Sequence, residues 1–417
     1  MEYIRQTRFF VAGILLNQLR RMTFIIYGFV LLTILLPCEI SARNPVLEKS
    51  TEKLRKGEII VEELSDEELG TTLKKQAETI TARYRGRFAE YDLNNEMIHG
   101  NYCEERLGPD VTKKIIFDTD MGPDYDDVGA IAVLHALADS GECEILATLS
   151  CNGHPSVAPT IETFNRYFNR PDIPIGVPQN PVVNAIPQNR WNDSVVAKFQ
   201  PALKGKSVYP VASKVYREVL AAQPDKSVTI VTVGFVTNLY ELLQTDGDEY
   251  SSLSGTELVA RKVKNWVAMA GAFPEGREYN VMMDAQASVY TFSHWPTPIL
   301  FTGFEIGNSI LTGRKVAENG SPDSPVAWAY KYNLATYAEV PSENRMSWDL
   351  TAVLCAVRDP EEYFYVCGPG KFVVESDGYD WWDAETDFGH CFLVHKYPYR
   401  KIADILDGLM MHEPVKE

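Results

Sequence analysis

From Lys114 onward, short apolar runs alternate with longer segments whose apolar residues recur at helical spacing, and this alternation sets the fold class. Ile115-Ile116-Phe117, Glu144–Ser150, Val228–Val233, Trp266–Ala270 and Ile299–Thr302 read as buried strands, with a shorter run at Ile173–Val177. Helical spacing predicts helices over Val128–Ala138, Ser156–Asn169, Val211–Gln223, Val236–Gln244, Asp284–His294, Asp349–Val357 and Tyr399–Met411. Strands joined through helices run parallel and cross over right-handedly, so both faces of the sheet are covered. The expected fold class is α/β, a mostly parallel central sheet with helices on both faces, Rossmann-like. Phe372–Glu375 and Cys391–Val394 are expected to add a hairpin.

Ahead of this body the chain changes character twice. Arg20 and Arg21 precede the uncharged run Met22–Cys38, and Ile40-Ser41-Ala42 follows it. A basic flank, an apolar core and small residues describe a secretory signal, so residues 1–42 are expected to be a signal peptide or a membrane anchor. The expected location is exported, periplasmic or secreted, with membrane attachment through the N-terminus as the alternative. Residues 43–112 are expected to form a charged arm with one predicted helix near Leu69–Tyr84, and 113–417 one large α/β body. A net charge of −17 argues against nucleic acid as a partner, because phosphate binding needs clustered cations. The seven cysteines include no CxxC pair, which argues against a structural zinc site.

Polar residues gather where the strands end, which is where open parallel sheets bind ligands. The first strand runs into Asp118-Thr119-Asp120-Met121-Gly122-Pro123-Asp124-Tyr125-Asp126-Asp127, five aspartates in ten residues. Helix capping explains one or two of them. Five at the end of a buried strand repel one another unless a cation holds them, and an all-oxygen donor set suits a hard divalent ion, Ca²⁺ or Mg²⁺. The spacing is not that of an EF-hand, since Gly122 stands at the fifth position from Asp118 and no acid closes the loop at the twelfth.

Taken together, these strand ends resemble the inosine–uridine nucleoside hydrolase family, in particular its exported bacterial relatives. Asp118-Thr-Asp120-Met-Gly122 with Asp126-Asp127 is similar to the family's metal signature, with two extra residues before the paired acids. Gly234-Phe-Val-Thr237-Asn238 is similar to its G-x-x-T-N turn. Met269-Ala-Gly271-Ala272 with Glu278-Tyr-Asn280 resembles its M-x-G-A and E-F-N segments. The resemblance implies that Asp120, Asp127, Asp349 and the Thr237 carbonyl hold one Ca²⁺. It also implies that Asp126 takes the proton of a calcium-bound water attacking the anomeric carbon of a ribonucleoside. Asn152, Met269, Glu278, Asn280 and Trp348 would then contact the substrate, and the expected products are ribose and free base, as in purine or pyrimidine salvage.

Two departures stand out. Trp348 occupies the position of the family's leaving-group histidine, and indole has no acid–base role near neutral pH. The stretch between Met269 and Glu278 lacks a match to another asparagine of the sugar site. A secreted nucleoside- or sugar-binding protein without turnover is therefore one alternative, and an aspartyl phosphatase using Asp118 is another. His154 offers a speculative proton donor, and His135 reads as packed within its helix. Base-recognition loops are expected in Pro178–Ser207 and Gly307–Asn344, with Trp191 and Trp328 as candidates. Self-association stays open.

Overall fold

The computed structural model describes residues 112–414 apart from Val182 and residues 339–341. The leader and the helix predicted near Leu69–Tyr84 lie outside the described residues. The first strands are β1 (Lys113–Thr119), β2 (Cys143–Ser150), β3 (Ile175–Gly176), β4 (Val228–Thr232), β5 (Val263–Ala268), β6 (Glu275–Gly276) and β7 (Ile299–Phe301). A separate two-stranded ladder pairs β8 (Leu311–Thr312) with β9 (Arg345–Met346). The last strands are β10 (Phe364–Val374), β11 (Asp380–Asp383) and β12 (His390–His395).

The main sheet has the order β3-β2-β1-β4-β5-β7-β12-β10-β11-β6. From β3 to β12 every neighbouring pair is parallel, and the last three pairings are antiparallel. The α/β expectation with a mostly parallel sheet is met. β1 lies between β2 and β4 with its last five residues buried, so its carboxyl end opens at the middle of the parallel part.

Thirteen α-helices are described: α1 (Asp126–Asp139), α2 (Val157–Tyr167), α3 (Trp191–Phe199), α4 (Ala212–Ala222), α5 (Thr237–Leu243), α6 (Gly255–Lys262) and α7 (Tyr279–Met283) come first. They are followed by α8 (Ala285–His294), α9 (Phe304–Ser309), α10 (Arg314–Asn319), α11 (Pro325–Thr336), α12 (Trp348–Val357) and α13 (Tyr399–Met410). The period-2 alternation of the strands divides the core into two layers. Ile115, Phe117, Val231, Val267 and Met269 face a layer shared with α1, α2, α11, α12 and α13. Ile116, Ile230, Trp266 and Ala268 face the layer built by α4, α5, α6 and α8. α1 and α12 pack together and are buried almost all round, which matches their nearly unbroken apolar sequences.

The expected hairpin needs correction. Cys391–Val394 does pair antiparallel with β10, but with its first half, Val366↔Leu393 and Cys367↔Phe392. The Phe372–Val374 end pairs instead with β11, across a tight connection. Antiparallel partners are chosen by which faces are buried together, and two short apolar runs do not specify that. Both segments read as loops also contain helices, α3 in the first and α10 and α11 in the second. For α11 a signal was present: Ser324 caps it by accepting from Ala327 N–H at 3.2 Å, and Pro325 occupies its first turn.

Candidate active site

β1 and α1 set out the acidic residues in pairs with different surroundings. Both carboxylate oxygens of Asp118 are occupied: Asn238 Nδ2 donates to each at 3.0 Å, and Tyr216 OH donates to Oδ2 at 2.9 Å. Burial still pushes Asp118 up to about 7. Held in this way, Asp118 ties β1 to α4 and α5. Past β1 the chain turns sharply through Met121 (φ 40°) and Gly122 (φ 126°). Asn192 and Trp191, at the start of α3, clamp this turn by donating to Met121 O at 2.7 Å and Asp124 O at 3.1 Å. Trp191 is thus fully buried structure and not a base contact.

Asp126 and Asp127 open α1. Asp127 Oδ1 accepts from Thr119 Oγ1 and from Met121 N–H at 2.9 Å, while Asp126 Oδ2 accepts from Asp349 N–H at 3.2 Å. The other oxygen of each, Asp126 Oδ1 and Asp127 Oδ2, is buried with no hydrogen-bond partner. Asp124, Asp126 and Asp127 each offer an oxygen within 4.8 Å of the others. Asp120 and Asp349 are buried beside them, and Asp120 shares a side-chain hydrogen bond with Asp127. Burial, followed by mutual repulsion, holds Asp120, Asp126 and Asp349 well above the usual carboxylate range and pushes Asp127 up to about 7. Unpaired buried carboxylate oxygens are costly without a cation, and this donor set fits a hard divalent ion. Asp124, which the sequence reading left without a role, belongs to this triple.

The turn that leads to Thr237 leaves β4 beside Asp120. A Cβ on Gly234 would lie 2.6 Å from Asp120 N and 2.7 Å from Cys151 Sγ, so only glycine lets this turn approach β1 so closely. Thr237 Oγ1 donates to Asp284 Oδ2 at 2.5 Å, and Asp284 also caps α8. That bond fixes the first turn of α5 and was not foreseen.

The residues expected to contact sugar are buried at the ends of β2 and β5. Asn152 donates to Ala185 O at 2.6 Å and Asp120 O at 3.3 Å, and it accepts from the N–H groups of His154 and Ala185, so its amide braces the Asp120 turn. Asn280 donates to Met269 O and Sδ at 3.2 and 3.3 Å. Glu278 caps α7 by accepting from Asn280 and Val281 N–H, with Gly271 N–H at 3.4 Å, and burial pushes it up to about 7. Asp380, another unforeseen residue, accepts from Ala272 and Glu278 N–H at 2.7 and 3.0 Å and pins the loop that carries Glu278.

An aromatic wall closes the other side. Trp348 stacks on Phe304 with ring centroids 5.5 Å apart, and its indole N–H donates to Phe304 O at 2.8 Å. A Cβ on Gly307 would come within 2.2 Å of Trp348 Cα, so α9 can lie against the start of α12 only with glycine there. Arg345 pairs with Asp124 and lies over the rings of Tyr125, Tyr337 and Trp348. His154 bonds Ser156 in its own loop, while His135 is buried against Phe168 and bonded to Asn165. Trp328 stacks on Tyr332 beside Phe199.

Comparison with known proteins gives the following matches. A model of the family described as "Inosine-uridine preferring nucleoside hydrolase" matches residues 115–393. A pyrimidine-specific ribonucleoside hydrolase, RihA, from Shewanella sp. (strain MR-7) is 29% identical over 205 residues, covering 47% of this chain and 60% of that protein. Endo-1,4-beta-xylanase 3 of Arabidopsis thaliana is 39% identical over only 51 residues, 12% of this chain and 7% of that protein. The chain therefore spans under two thirds of either relative. A crystal structure of an inosine-uridine preferring nucleoside hydrolase from Bacillus anthracis superposes with a TM-score of 0.53 at 18% identity, over 72% of this chain and 99% of that one, which shows a shared fold.

Proposed function

This chain belongs to the inosine-uridine preferring nucleoside hydrolase family, and from that premise we propose that it hydrolyses the N-glycosidic bond of a ribonucleoside to ribose and free base. The observation that carries the reading is the pair of buried, unpartnered oxygens, Asp126 Oδ1 and Asp127 Oδ2, among five gathered carboxylates. Asp120, Asp127, Asp349 and the Thr237 carbonyl would hold one calcium ion. When bound, the ion neutralises the cluster and makes a nearby water more acidic. Asp126 accepts that water's proton through its free oxygen as attack begins, while its other oxygen stays fixed by Asp349 N–H. Asn152 and Glu278 keep the strand ends in place around the ribose, and Asn280 and Met269 line it. Trp348 and Phe304 offer a face on which the base stacks.

The test is a panel of purine and pyrimidine nucleosides assayed for free base, with calcium and with chelator. Release of base and ribose that chelation abolishes is expected; no free base from any nucleoside in the presence of calcium would refute the reading. The proposal also places the protein outside the cytoplasm, on the strength of the apolar run Met22–Cys38. Recovery of the whole chain from the cytoplasmic fraction alone would count against that.

A further inference from the structure

Breaking the bond between C1′ and the base nitrogen sends an electron pair onto that nitrogen, and the site must supply either a proton or a countercharge. Trp348 can give no proton near neutral pH. Next to it stands a permanent cation. The Arg345 guanidinium is ion-paired with Asp124, a member of the carboxylate triple, and lies 5.2 Å from the Trp348 ring centroid. The rings of Tyr125 and Tyr337, each 5.3 Å away, enclose it further, and its Nε is buried without a hydrogen-bond partner. The guanidinium therefore stands between the acidic cluster, where the sugar reacts, and the aromatic wall, where the base would lie.

We infer that Arg345 is a catalytic residue on the leaving-group side, receiving the departing base as an anion through its charge. The inference rests on the N-glycosidase reading. In the step, water oxygen bonds C1′ and its proton passes to Asp126. The C1′–N bond breaks with its electron pair going to the base, and Arg345 keeps all its protons. The base anion takes a proton from solvent as it departs. Asp124 positions the guanidinium and takes no part in bond making.

The experiment compares kcat on inosine and uridine with kcat on p-nitrophenyl riboside, whose nitrophenolate leaves readily as an anion, for the native protein, Arg345→Lys and Arg345→Ala. In Arg345→Ala, kcat on the nucleosides should fall about 100-fold, and on the aryl riboside by less than about tenfold. Added guanidinium should restore part of the nucleoside rate, and Arg345→Lys, which keeps the charge, should lie between the two. Equal losses on both substrate types, or unchanged nucleoside turnover in both variants, would overturn the assignment while leaving the hydrolase reading intact. A native protein that releases base from no nucleoside of the full panel and does not cleave the aryl riboside would refute the hydrolase reading and this assignment with it. Should Arg345→Ala fail to fold, the substrate dependence of Arg345→Lys decides alone, and equal loss on both substrate types again overturns the assignment.

Discussion

The main-chain N–H of Asp349 donates to Asp126 Oδ2 at 3.2 Å, linking the first turns of two helices 223 residues apart in sequence. The bond occupies one oxygen of Asp126 and leaves the other buried and unpaired, the state a fixed proton acceptor requires. Asp126→Asn should keep the fold and lower kcat by about 10²- to 10⁴-fold. Calcium affinity, measured by calorimetry, should fall much less than turnover. Asp120→Asn should lose both. If Asp126→Asn loses calcium binding as completely as Asp120→Asn, Asp126 is a ligand and the base lies elsewhere.

A second prediction concerns pH and metal together. Asp118, Asp127 and Glu278 are each pushed up to about 7, with burial as the leading cause. The folded chain without metal therefore holds more protons than the unfolded chain between about pH 4 and pH 7, and its stability falls as pH rises through that window. Calcium needs Asp127 and the other ligand carboxylates, Asp120 and Asp349, ionised, so its effect runs the other way. Thermal unfolding with chelator should show a higher midpoint at pH 5 than at pH 8, and calcium should raise the midpoint more at pH 8. A calcium effect of equal size at both values would show that the ion does not bind at these acids.

Which parts of this site could be read in advance follows from the range of the interactions. β1, β2, β4 and β5 are buried on both faces and read as unbroken apolar runs, and the aspartates after Phe117 form a local cluster, so both were legible. Arg345, Asp284 and Asp380 were not. Each is one charged residue without local pattern, and its role exists only through a distant partner: Asp124 for Arg345, Thr237 for Asp284, Glu278 N–H for Asp380. Asn152 and Glu278 were picked out by motif, yet the main-chain groups they brace became visible only in three dimensions.

Trp348 supplies a third prediction. Its ring lies against Phe304, a residue 41% exposed, and the Arg345 guanidinium stands 5.2 Å from its centroid. Trp348→Ala should raise KM for nucleosides about tenfold, and Trp348→Phe, which loses the bond to Phe304 O but keeps a ring, by less than about threefold. A fall in kcat at unchanged KM would exclude stacking on the base as its role.

The last prediction concerns the scaffold behind the acids. Arg217 on α4 is fully buried, and its guanidinium donates to both oxygens of Asp248, to Thr245 Oγ1 and to the carbonyls of Ser251 and Leu253. One residue earlier on the same helix, Tyr216 holds Asp118, so Arg217 fastens the loop between α5 and α6 to the helix that supports the end of β1. Arg217→Ala strands a carboxylate and two carbonyls. It should cost about 3–5 kcal/mol, toward the lower figure because Asp248 retains 22% exposure. Asp248→Asn keeps an acceptor and most of the network, and should cost about 1–2 kcal/mol. Urea unfolding of the two variants measures both. A loss below about 1 kcal/mol in Arg217→Ala would mean that water replaces the network at little cost and that α4 is held by its apolar face alone.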